Sequence, residues 1–345
     1  MFTKLIQWSQ KEFPDLPWRK ERSLYRTLVS EIMLQQTTVS TVKNHYDRFL
    51  KQFPTLESLA RASEDEMLVA WKGLGYYRRA RNLKKIAEAL VNEHAGKFPD
   101  DIESLQTIPG IGPYTSNAIV GIGMDKRALA VDANLERVIA RYYGLKTEKG
   151  LKLQKEIQKL FLAKEIFTEK LSYRGLNEAL MDLGRTYCQA RKASCELCLL
   201  KKDCKAFQSG KPLSLPVEGK AATKAQEHEL SLLRIYIVKK DKLLVYKKDD
   251  SEWLHGQFEV PTFILKTSDA TLKQYPLLKS KKSFSDLPMI KTGITKYKIS
   301  NYIFEADEKM LKELGFARKT EWRSLRSAES NFSTTTLKGL KKINS

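Results

Sequence analysis

The four cysteines of this 345-residue chain all lie within residues 188–204. Thiols gathered in one short segment bind metal more often than they form disulfides. Four thiolates can ligate either zinc or a 4Fe-4S iron–sulfur cluster, but zinc sites usually contain two close cysteine pairs. The single close pair here favours the cluster, with zinc and no metal as the alternatives. The spacing C-x6-C-x2-C-x5-C is formed by Cys188, Cys195, Cys198 and Cys204.

Two carboxylates stand in sequence contexts that suit acid–base chemistry. Glu31 lies between the apolar pairs at 28–29 and 32–33, and an apolar setting raises the pKa of a carboxyl group, as a general acid requires. The alternative for Glu31 is a solvated charge on a helix face. Asp132 ends an apolar run just before a predicted helix, and its alternative role is that of a helix N-cap.

Residues 108–115, I-P-G-I-G-P-Y-T, place Gly110 and Gly112 two positions apart before a helix of small residues. Such a turn exposes backbone N–H groups at a helix N-terminus, where hydrogen bonds and the helix dipole favour an anion. The pattern is typical of a helix-hairpin-helix motif, which binds a DNA phosphate without reading sequence. A plain turn is the alternative.

The predicted secondary structure changes along the chain, from helices to a linker and then to strands. Residues 1–207 show the 3.6-residue apolar period of helices, for example at Leu24, Leu28 and Ile32. Residues 208–229 are rich in Ser, Gly, Pro, Lys and Ala, which predicts a linker. Strand-like segments follow at 230–238, 242–246 and 297–304, with helices predicted around 311–314 and 327–340. We therefore expect a multidomain protein with an all-α first domain, a linker, and an α+β second domain over 230–345.

The chain carries 61 Lys and Arg against 41 Asp and Glu, a formal net charge of +20. Such an excess on a chain with 42% hydrophobic residues predicts a folded protein with a polyanionic partner, most often nucleic acid. The sequence has no apolar run near the ~18 residues of a membrane span and no signal-peptide pattern. We therefore expect a cytoplasmic protein that does not interact with membranes.

The glycine hairpin, the V-D-x-N sequence at 131–134 and the cysteine spacing together resemble the helix-hairpin-helix DNA glycosylases, which include endonuclease III. Within that superfamily the chain resembles the MutY family of adenine DNA glycosylases. The family's further motifs match L-P-W at 16–18, S-E-I-M-L-Q-Q-T at 30–37, G-L-G-Y-Y-R-R-A-R-N-L at 73–83 and N-E-A-L-M-D-L-G at 177–184. The resemblance covers about residues 5–207 and returns more weakly over 230–340.

This resemblance implies a base-excision repair enzyme that hydrolyses the N-glycosidic bond of adenine mispaired with 8-oxoguanine or guanine in double-stranded DNA. It implies a helical DNA glycosylase domain over 1–207, with a helix-hairpin-helix at about 105–120 and a 4Fe-4S cluster held by the cysteines of 188–204. Through W-L-H-G-Q-F-E-V-P at 253–261, it implies a Nudix-like recognition domain over 230–345. The expected protein is a monomer, associated with the nucleoid if it is bacterial.

The resemblance also assigns roles to individual residues. Glu31 matches the general acid that protonates adenine at N7, and Asp132 matches the carboxylate that stabilises the oxocarbenium-like sugar. Asn134 and Tyr114 match hydrogen-bonding neighbours of that carboxylate. The matched recognition residues are Arg19 and Glu178 at the adenine edge, Gln36 and Tyr76 inserted into the duplex, Thr295 and Lys296 facing the opposite base, and Gly110 and Gly112 on the DNA backbone. For Arg19 with Glu178 the alternative is a surface ion pair, and for Tyr76 it is core packing.

The chain departs from the family pattern in two places. Ala133 replaces the glycine of D-G-N, and Lys296 replaces the histidine of F-S-H, which bears on the preference for 8-oxoguanine. After residue 261 no R-E-x-x-E-E run of magnesium ligands occurs, so binding is expected of the second domain instead of catalysis. Two alternative functions remain: a bifunctional glycosylase/lyase of the endonuclease III type, disfavoured because Tyr114 stands at its Schiff-base lysine position, and a non-catalytic iron–sulfur DNA-binding protein.

Overall fold

The computed structural model of the protein describes residues 1–168, 170–219, 226–279, 284, 286–326 and 330–343. The chain divides into two compact units, residues 1–62 with 73–222 and residues 63–72 with 223–345. Part of the predicted linker, residues 220–225, lies outside the described residues.

The described part of residues 1–219 is helical, as the apolar periodicity predicts. Local polar groups begin several of these helices: the side chains of Ser23, Thr38 and Asp101 each accept a hydrogen bond from a backbone N–H of the first turn. The helices are α1 (Phe2–Glu12), α2 (Pro17–Lys20), α3 (Leu24–Leu34), α4 (Val39–Gln52), α5 (Leu56–Arg61), α6 (Glu64–Ala70), α7 (Arg78–Glu93), α8 (Ile102–Thr107), α9 (Pro113–Ala118), α10 (Ala133–Tyr143), α11 (Leu151–Leu162), α12 (Tyr173–Thr186) and α13 (Lys205–Gln208).

The core of the first unit forms where α12 packs against α1 and α10. Leu5, Leu135, Leu176 and Phe161 are almost completely buried in this core. Burial of such side chains contributes about 1.5–3 kcal/mol each. Helix α3 is buried on most of its surface, including Leu28, so it runs through the interior of the unit.

The predicted helix-hairpin-helix is present as α8, a turn at 108–112, and α9, which continues into a π-helical turn at Ile119–Gly123. Gly110 has a φ of +97°, and a Cβ there would lie 3.2 Å from the side chain of Ile86. Glycine is therefore needed at this position both for its backbone conformation and for space. Gly112 caps α9, and Pro113 occupies its first turn.

The first half of the predicted linker is attached to the helical unit. Nε of Arg141 donates to the carbonyl of Leu215 at 2.8 Å, and the backbone N–H of Lys149 donates to the carbonyl of Val217 at 2.9 Å. The first strand of the second unit then begins at His228.

The second unit is α+β, as predicted. One sheet has the order β5-β1-β7-β6, in which β1 and β7 are parallel and the other pairs are antiparallel. The other sheet contains β2, β3 and β4, with β8 paired to β3. The elements are β1 (His228–Tyr236), β2 (Val238–Lys239), β3 (Lys242–Lys247), β4 (Phe258–Glu259), β5 (Thr262–Thr267), β6 (Met289–Ile294), β7 (Tyr297–Glu305), α14 (Glu308–Glu313), β8 (Glu321–Ser324) and α15 (Thr334–Ile343). Of the helix predicted at 327–340, residues 327–329 lie outside the described residues, and α15 begins at Thr334.

A buried ionic cluster in the second unit is centred on Glu259, the glutamate of the W-L-H-G-Q-F-E-V-P motif. Glu259 accepts hydrogen bonds from Nη1 of Arg234 and Nζ of Lys248, both at 2.6 Å, and from Oη of Tyr275 at 3.0 Å. Burial alone would raise the pKa of Glu259, but the two cations lower it to about 2. The motif's glutamate is therefore ionised and fully partnered inside the fold.

Across the residues that the structure describes, every helix falls short of the length and hydrophobicity that a bilayer-spanning segment needs.

Candidate active site

A cleft of about 990 Å³ opens in the first unit. Its walls come from α2, α3, the loop after α3, α9, the start of α10, and α12, so segments that are distant in sequence meet here. Seven predicted site residues line this cleft: Arg19, Glu31, Gln36, Tyr114, Asp132, Asn134 and Glu178. All four residues predicted to be catalytic therefore share one cavity.

Glu31 lies on α3 with only 4% of its surface exposed. Oη of Tyr114 donates a 2.6 Å hydrogen bond to Oε2 of Glu31. Burial raises the pKa of Glu31 to about 7; the Tyr114 bond opposes this rise, and the negative charges of Asp132 and Glu178 add to it. A carboxyl group with this pKa carries a proton for about half of the time at neutral pH, so it is able to donate one to a ligand in the cleft.

Asp132 is the N-cap of α10 and also lines the cleft. Its Oδ1 accepts from the backbone N–H groups of Asn134 at 2.9 Å and Leu135 at 2.7 Å, and its Oδ2 accepts from Nδ2 of Asn134 at 2.8 Å. Burial raises the pKa of Asp132, and these three donated bonds oppose the rise by favouring the ionised form. The capping role and a role in the cleft are therefore compatible in one side chain.

Asn177 fixes the extended segment that leads into Asp132. This side chain is fully buried. Its Oδ1 accepts from the N–H of Ala130 at 2.8 Å, and its Nδ2 donates to the carbonyl of Ala128 at 3.0 Å. The sequence motif includes Asn177, but its role depends on backbone groups about 50 residues away, which only the fold brings to it.

Hydrogen bonds from one arginine connect the cleft to the cysteine segment. Arg137, on α10, donates to Oδ1 of Asn134 at 2.8 Å and to the carbonyls of Gly184 at 2.7 Å and Cys188 at 2.6 Å. Gly184 is needed beside it, because a Cβ there would lie 2.6 Å from Cβ of Asn134. The position of Asn134 is thus fixed by a close helix contact and by one arginine.

Arg19 and Glu178 belong to a larger charged network on one side of the cleft. Nε of Arg19 lies 3.6 Å from Oε2 of Glu178, and its Nη2 lies 3.0 Å from Oδ2 of Asp182. Arg22 donates to both carboxylate oxygens of Glu178 at 2.8 and 3.2 Å. The pair is largely buried, so the surface ion-pair alternative is wrong. Asp182 was not singled out from the sequence, although its four-residue spacing from Glu178 places both on one face of α12.

Within the first unit, Tyr76, Gly110 and Gly112 are not among the residues that line this cleft. Tyr76 is 61% exposed, which rules out the core-packing alternative. Thr295 and Lys296 form the tip of the β6–β7 hairpin in the second unit. Nζ of Lys296 lies 3.7 Å from Oδ2 of Asp269. Gly110 and Gly112 are in the turn before α9.

The four cysteines are free thiols, all partly buried. Burial raises the pKa of Cys198 to about 11, and the charges of Cys188, Cys204 and Cys195 raise it further. Nη1 of Arg141 donates to Sγ of Cys188 at 3.3 Å. The donor set therefore suits a thiolate-ligated group. As the side chains stand, no three His, Cys, Asp or Glu residues in the described ranges are arranged as a metal site.

Known proteins resemble this chain in sequence and in fold. Residues 29–162 match the model of the HhH-GPD superfamily of base excision DNA repair proteins. The adenine DNA glycosylase of Buchnera aphidicola subsp. Schizaphis graminum is 33% identical over 246 residues, which cover 71% of this chain and 67% of that protein. The chain belongs to the adenine DNA glycosylase family. The human family member is 36% identical over 213 residues.

The glycosylase aligns with only part of several relatives. The match spans 39% of the human protein and 58% of the one from Buchnera aphidicola subsp. Acyrthosiphon pisum. Among solved structures, a thermostable thymine-DNA glycosylase superposes with a TM-score of 0.53 at 30% identity, covering 60% of this chain and 95% of that one. The helical glycosylase fold is therefore established for the first unit.

The raised pKa of Glu31 predicts a pH-dependent stability that Glu31→Gln removes. The contribution of Glu31 is fully present below its ordinary pKa of 4.5 and is lost as the pH rises through about 7, because ionisation then favours the unfolded chain. Between pH 5 and pH 8 we expect the free energy of unfolding to fall by roughly 2–3 kcal/mol more in the natural glycosylase than in the variant. Urea unfolding at both pH values measures this difference, and equal losses would contradict the buried state of Glu31.

Gly184→Ala tests the close contact with Asn134. In a helix interior, alanine normally stabilises by about 1 kcal/mol relative to glycine. Here the new Cβ would lie 2.6 Å from a Cβ and 3.1 Å from a Cα, so we expect a loss of roughly 1–3 kcal/mol of stability. A gain in the melting temperature of Gly184→Ala would contradict the contact.

Proposed function

We propose that this glycosylase removes adenine mispaired with 8-oxoguanine or guanine from double-stranded DNA, by hydrolysis of the N-glycosidic bond without strand cleavage. The observation that carries this proposal is the cleft itself, in which Glu31, Tyr114 and Asp132 meet in a member of the adenine DNA glycosylase family. The net charge of +20 supports a DNA duplex as the partner. As part of the proposal, the protein acts as a cytoplasmic monomer, on the nucleoid if it is bacterial.

Glu31 supplies the acid in the proposed reaction. Adenine leaves poorly until a ring nitrogen is protonated, and extrusion of the nucleotide from the duplex brings the base into the cleft. Because Tyr114 occupies Oε2 of Glu31, the proton is carried on Oε1 and passes to N7 of adenine. The bond between the base and C1′ then breaks, and its electron pair leaves with the neutral base.

Asp132 supplies the balancing negative charge. Departure of adenine leaves an oxocarbenium-like sugar, which an ionised carboxylate stabilises until water adds to C1′. The three hydrogen bonds that Asp132 accepts favour its ionised form and oppose the burial that raises its pKa. Tyr114 carries no amine, so no Schiff base forms and the product is an intact strand with an abasic site. This distinguishes the proposal from a glycosylase/lyase of the endonuclease III type.

The second unit is proposed to be a Nudix-like domain that reads the base opposite adenine. 8-Oxoguanine differs from guanine by a carbonyl oxygen at C8 and a hydrogen on N7. The hairpin tip presents the hydroxyl of Thr295 and the half-exposed ammonium of Lys296, which are able to donate to that oxygen. An ammonium ion is less directional than an imidazole, so we expect a weaker preference for 8-oxoguanine than in relatives with F-S-H.

The four cysteines are proposed to hold a 4Fe-4S cluster. When bound, this group supplies a rigid closure of residues 188–204, which would present Arg191 and Lys192 to a phosphate backbone. This proposal is supported by the presence of four free thiols within residues 188–204 and by the hydrogen bond from Arg141 to Cys188.

Metal analysis tests the cluster. We expect protein purified without oxygen to be brown and to contain about four irons and four sulfides per chain. Cys198→Ser, which removes one ligand, is expected to lower solubility or DNA binding first. A colourless protein with stoichiometric zinc would contradict the iron–sulfur proposal and support the zinc alternative.

Single-turnover assays on defined duplexes test the function. We expect base release from A:8-oxoguanine first, then A:G, with little from A:C or thymine glycol, and strand breaks only after alkali. Glu31→Gln is expected to abolish release while keeping duplex affinity within a few-fold, because it removes the acidic proton but keeps size and polarity. Release by the variant at the natural rate would remove Glu31 from the mechanism. Borohydride capture of the natural protein on DNA would instead support the lyase alternative.

A further inference from the structure

One buried arginine in the first unit joins two separate loops. Arg79 lies in the first turn of α7 and is 8% exposed. Its guanidinium reaches the end of α3 on one side and the loop before α7 on the other. Nη1 donates to the carbonyls of Ile32 at 3.0 Å, Met33 at 2.8 Å and Gln35; Nη2 donates to Oγ1 of Thr37 at 2.9 Å and to the carbonyls of Leu74 at 3.0 Å and Gly75 at 3.4 Å.

Each of these loops presents one exposed side chain on an unusual backbone. Gln36 has a φ of 54° and Tyr76 a φ of 45°, in the left-handed region that is unfavourable for a residue with a side chain. Gln36 is exposed, and Tyr76 is 61% exposed. Strained residues of this kind persist only where surrounding contacts over-determine them.

Arg79 makes such contacts with the two peptide groups that directly precede the strained residues. The carbonyl of Gln35 belongs to the peptide that leads into Gln36, and the carbonyl of Gly75 belongs to the peptide that leads into Tyr76. The guanidinium contacts both, so it restrains the φ angle of each strained residue. It also lies over the ring of Tyr76, at 5.5 Å from the ring centroid.

The geometry of these contacts requires arginine instead of a simple cation. A guanidinium offers five N–H donors in a rigid plane, whereas an ammonium has three donors on a flexible stem and cannot span both loops. The carbonyls at the C-terminus of α3 carry the negative end of the helix dipole, which favours a cation there. Helix α3 also carries Glu31, the proposed acid. The side chain of Arg79 therefore caps the helix that holds this acid.

We propose that Arg79 is a positioning residue that holds Gln36 and Tyr76 as one rigid pair, so that both side chains enter the duplex together when the target nucleotide leaves the stack. The proposal rests on the proposed function, in which these two residues fill the space left by the extruded base. A rigid pair enters without first ordering two loops, whose conformational entropy would otherwise oppose binding.

A double-mutant cycle on DNA affinity tests the pair. The probe is a duplex with a stable tetrahydrofuran abasic analogue opposite guanine and a neighbouring 2-aminopurine, whose fluorescence reports unstacking without any chemistry. We expect Arg79→Lys to weaken binding about tenfold and to reduce the fluorescence increase. In a Gln36→Ala/Tyr76→Ala background, we expect the same change to weaken binding less than about threefold, because the side chains that Arg79 positions are gone.

The control is Arg127→Lys, which removes a guanidinium from Phe161 and Tyr173 elsewhere in the unit. Its effect on affinity is expected to be small and equal in both backgrounds. Equal weakening by Arg79→Lys in both backgrounds would overturn the proposal and leave Arg79 a purely structural cap.

A milder variant is used if Arg79→Lys does not fold. Thr37→Val removes one acceptor of the guanidinium and is expected to show the same lack of additivity with a smaller effect, whereas additivity would overturn the proposal. The binding readout is independent of base release. The base-release assay would therefore reveal a failure of the proposed function. The double-mutant cycle on DNA affinity would reveal a failure of this inference.

Discussion

The hydrogen bond from Tyr114 to Glu31 is the interaction on which the cleft depends. Its two residues are 83 positions apart, so the bond joins the interior helix α3 to the helix after the glycine hairpin. The bond occupies one carboxyl oxygen and leaves the other for a ligand. Burial keeps the pKa of this carboxyl near 7. Any rearrangement of α9 that admitted water would lower the pKa of Glu31 and remove its acidic proton at neutral pH.

The proposed reaction requires the two carboxylates of the cleft to differ in protonation state, and the groups that surround them differ accordingly. Glu31 has a phenol as its hydrogen-bond partner, whereas Asp132 accepts two backbone N–H groups and one amide. The charges of Glu178 and Asp182 are balanced by arginines on the same side of the cleft. Such balance prevents four neighbouring acids from repelling one another strongly enough to open the site.

Much of this arrangement could be predicted from the sequence. The apolar neighbours of Glu31 indicated its burial, and the helical period and the change to strand-forming residues indicated an all-α part followed by an α+β part. The roles of Asn177, Arg137 and Asp182 could not be predicted, because their partners are backbone groups or charges that only tertiary packing brings near. The sequence also predicts too early a start for the last helix. Helix α15 begins at Thr334, where Oγ of Ser333 accepts a hydrogen bond from the backbone N–H of Thr336, and the pattern does not choose among the Ser and Thr residues of 330–336 as the cap.

Asp132 caps the N-terminus of α10 and also lines the cleft. Because one side chain has both positions, few substitutions are tolerated there. Under the proposed function, a side chain that lost the charge but kept the cap would keep the start of α10 and lose the reaction. One that lost both would weaken a helix that Arg137 connects to the cysteine segment. Selection for folding and selection for catalysis therefore act on the same carboxylate. In a lineage where the demand for repair has relaxed, the capping role alone still constrains drift at this position.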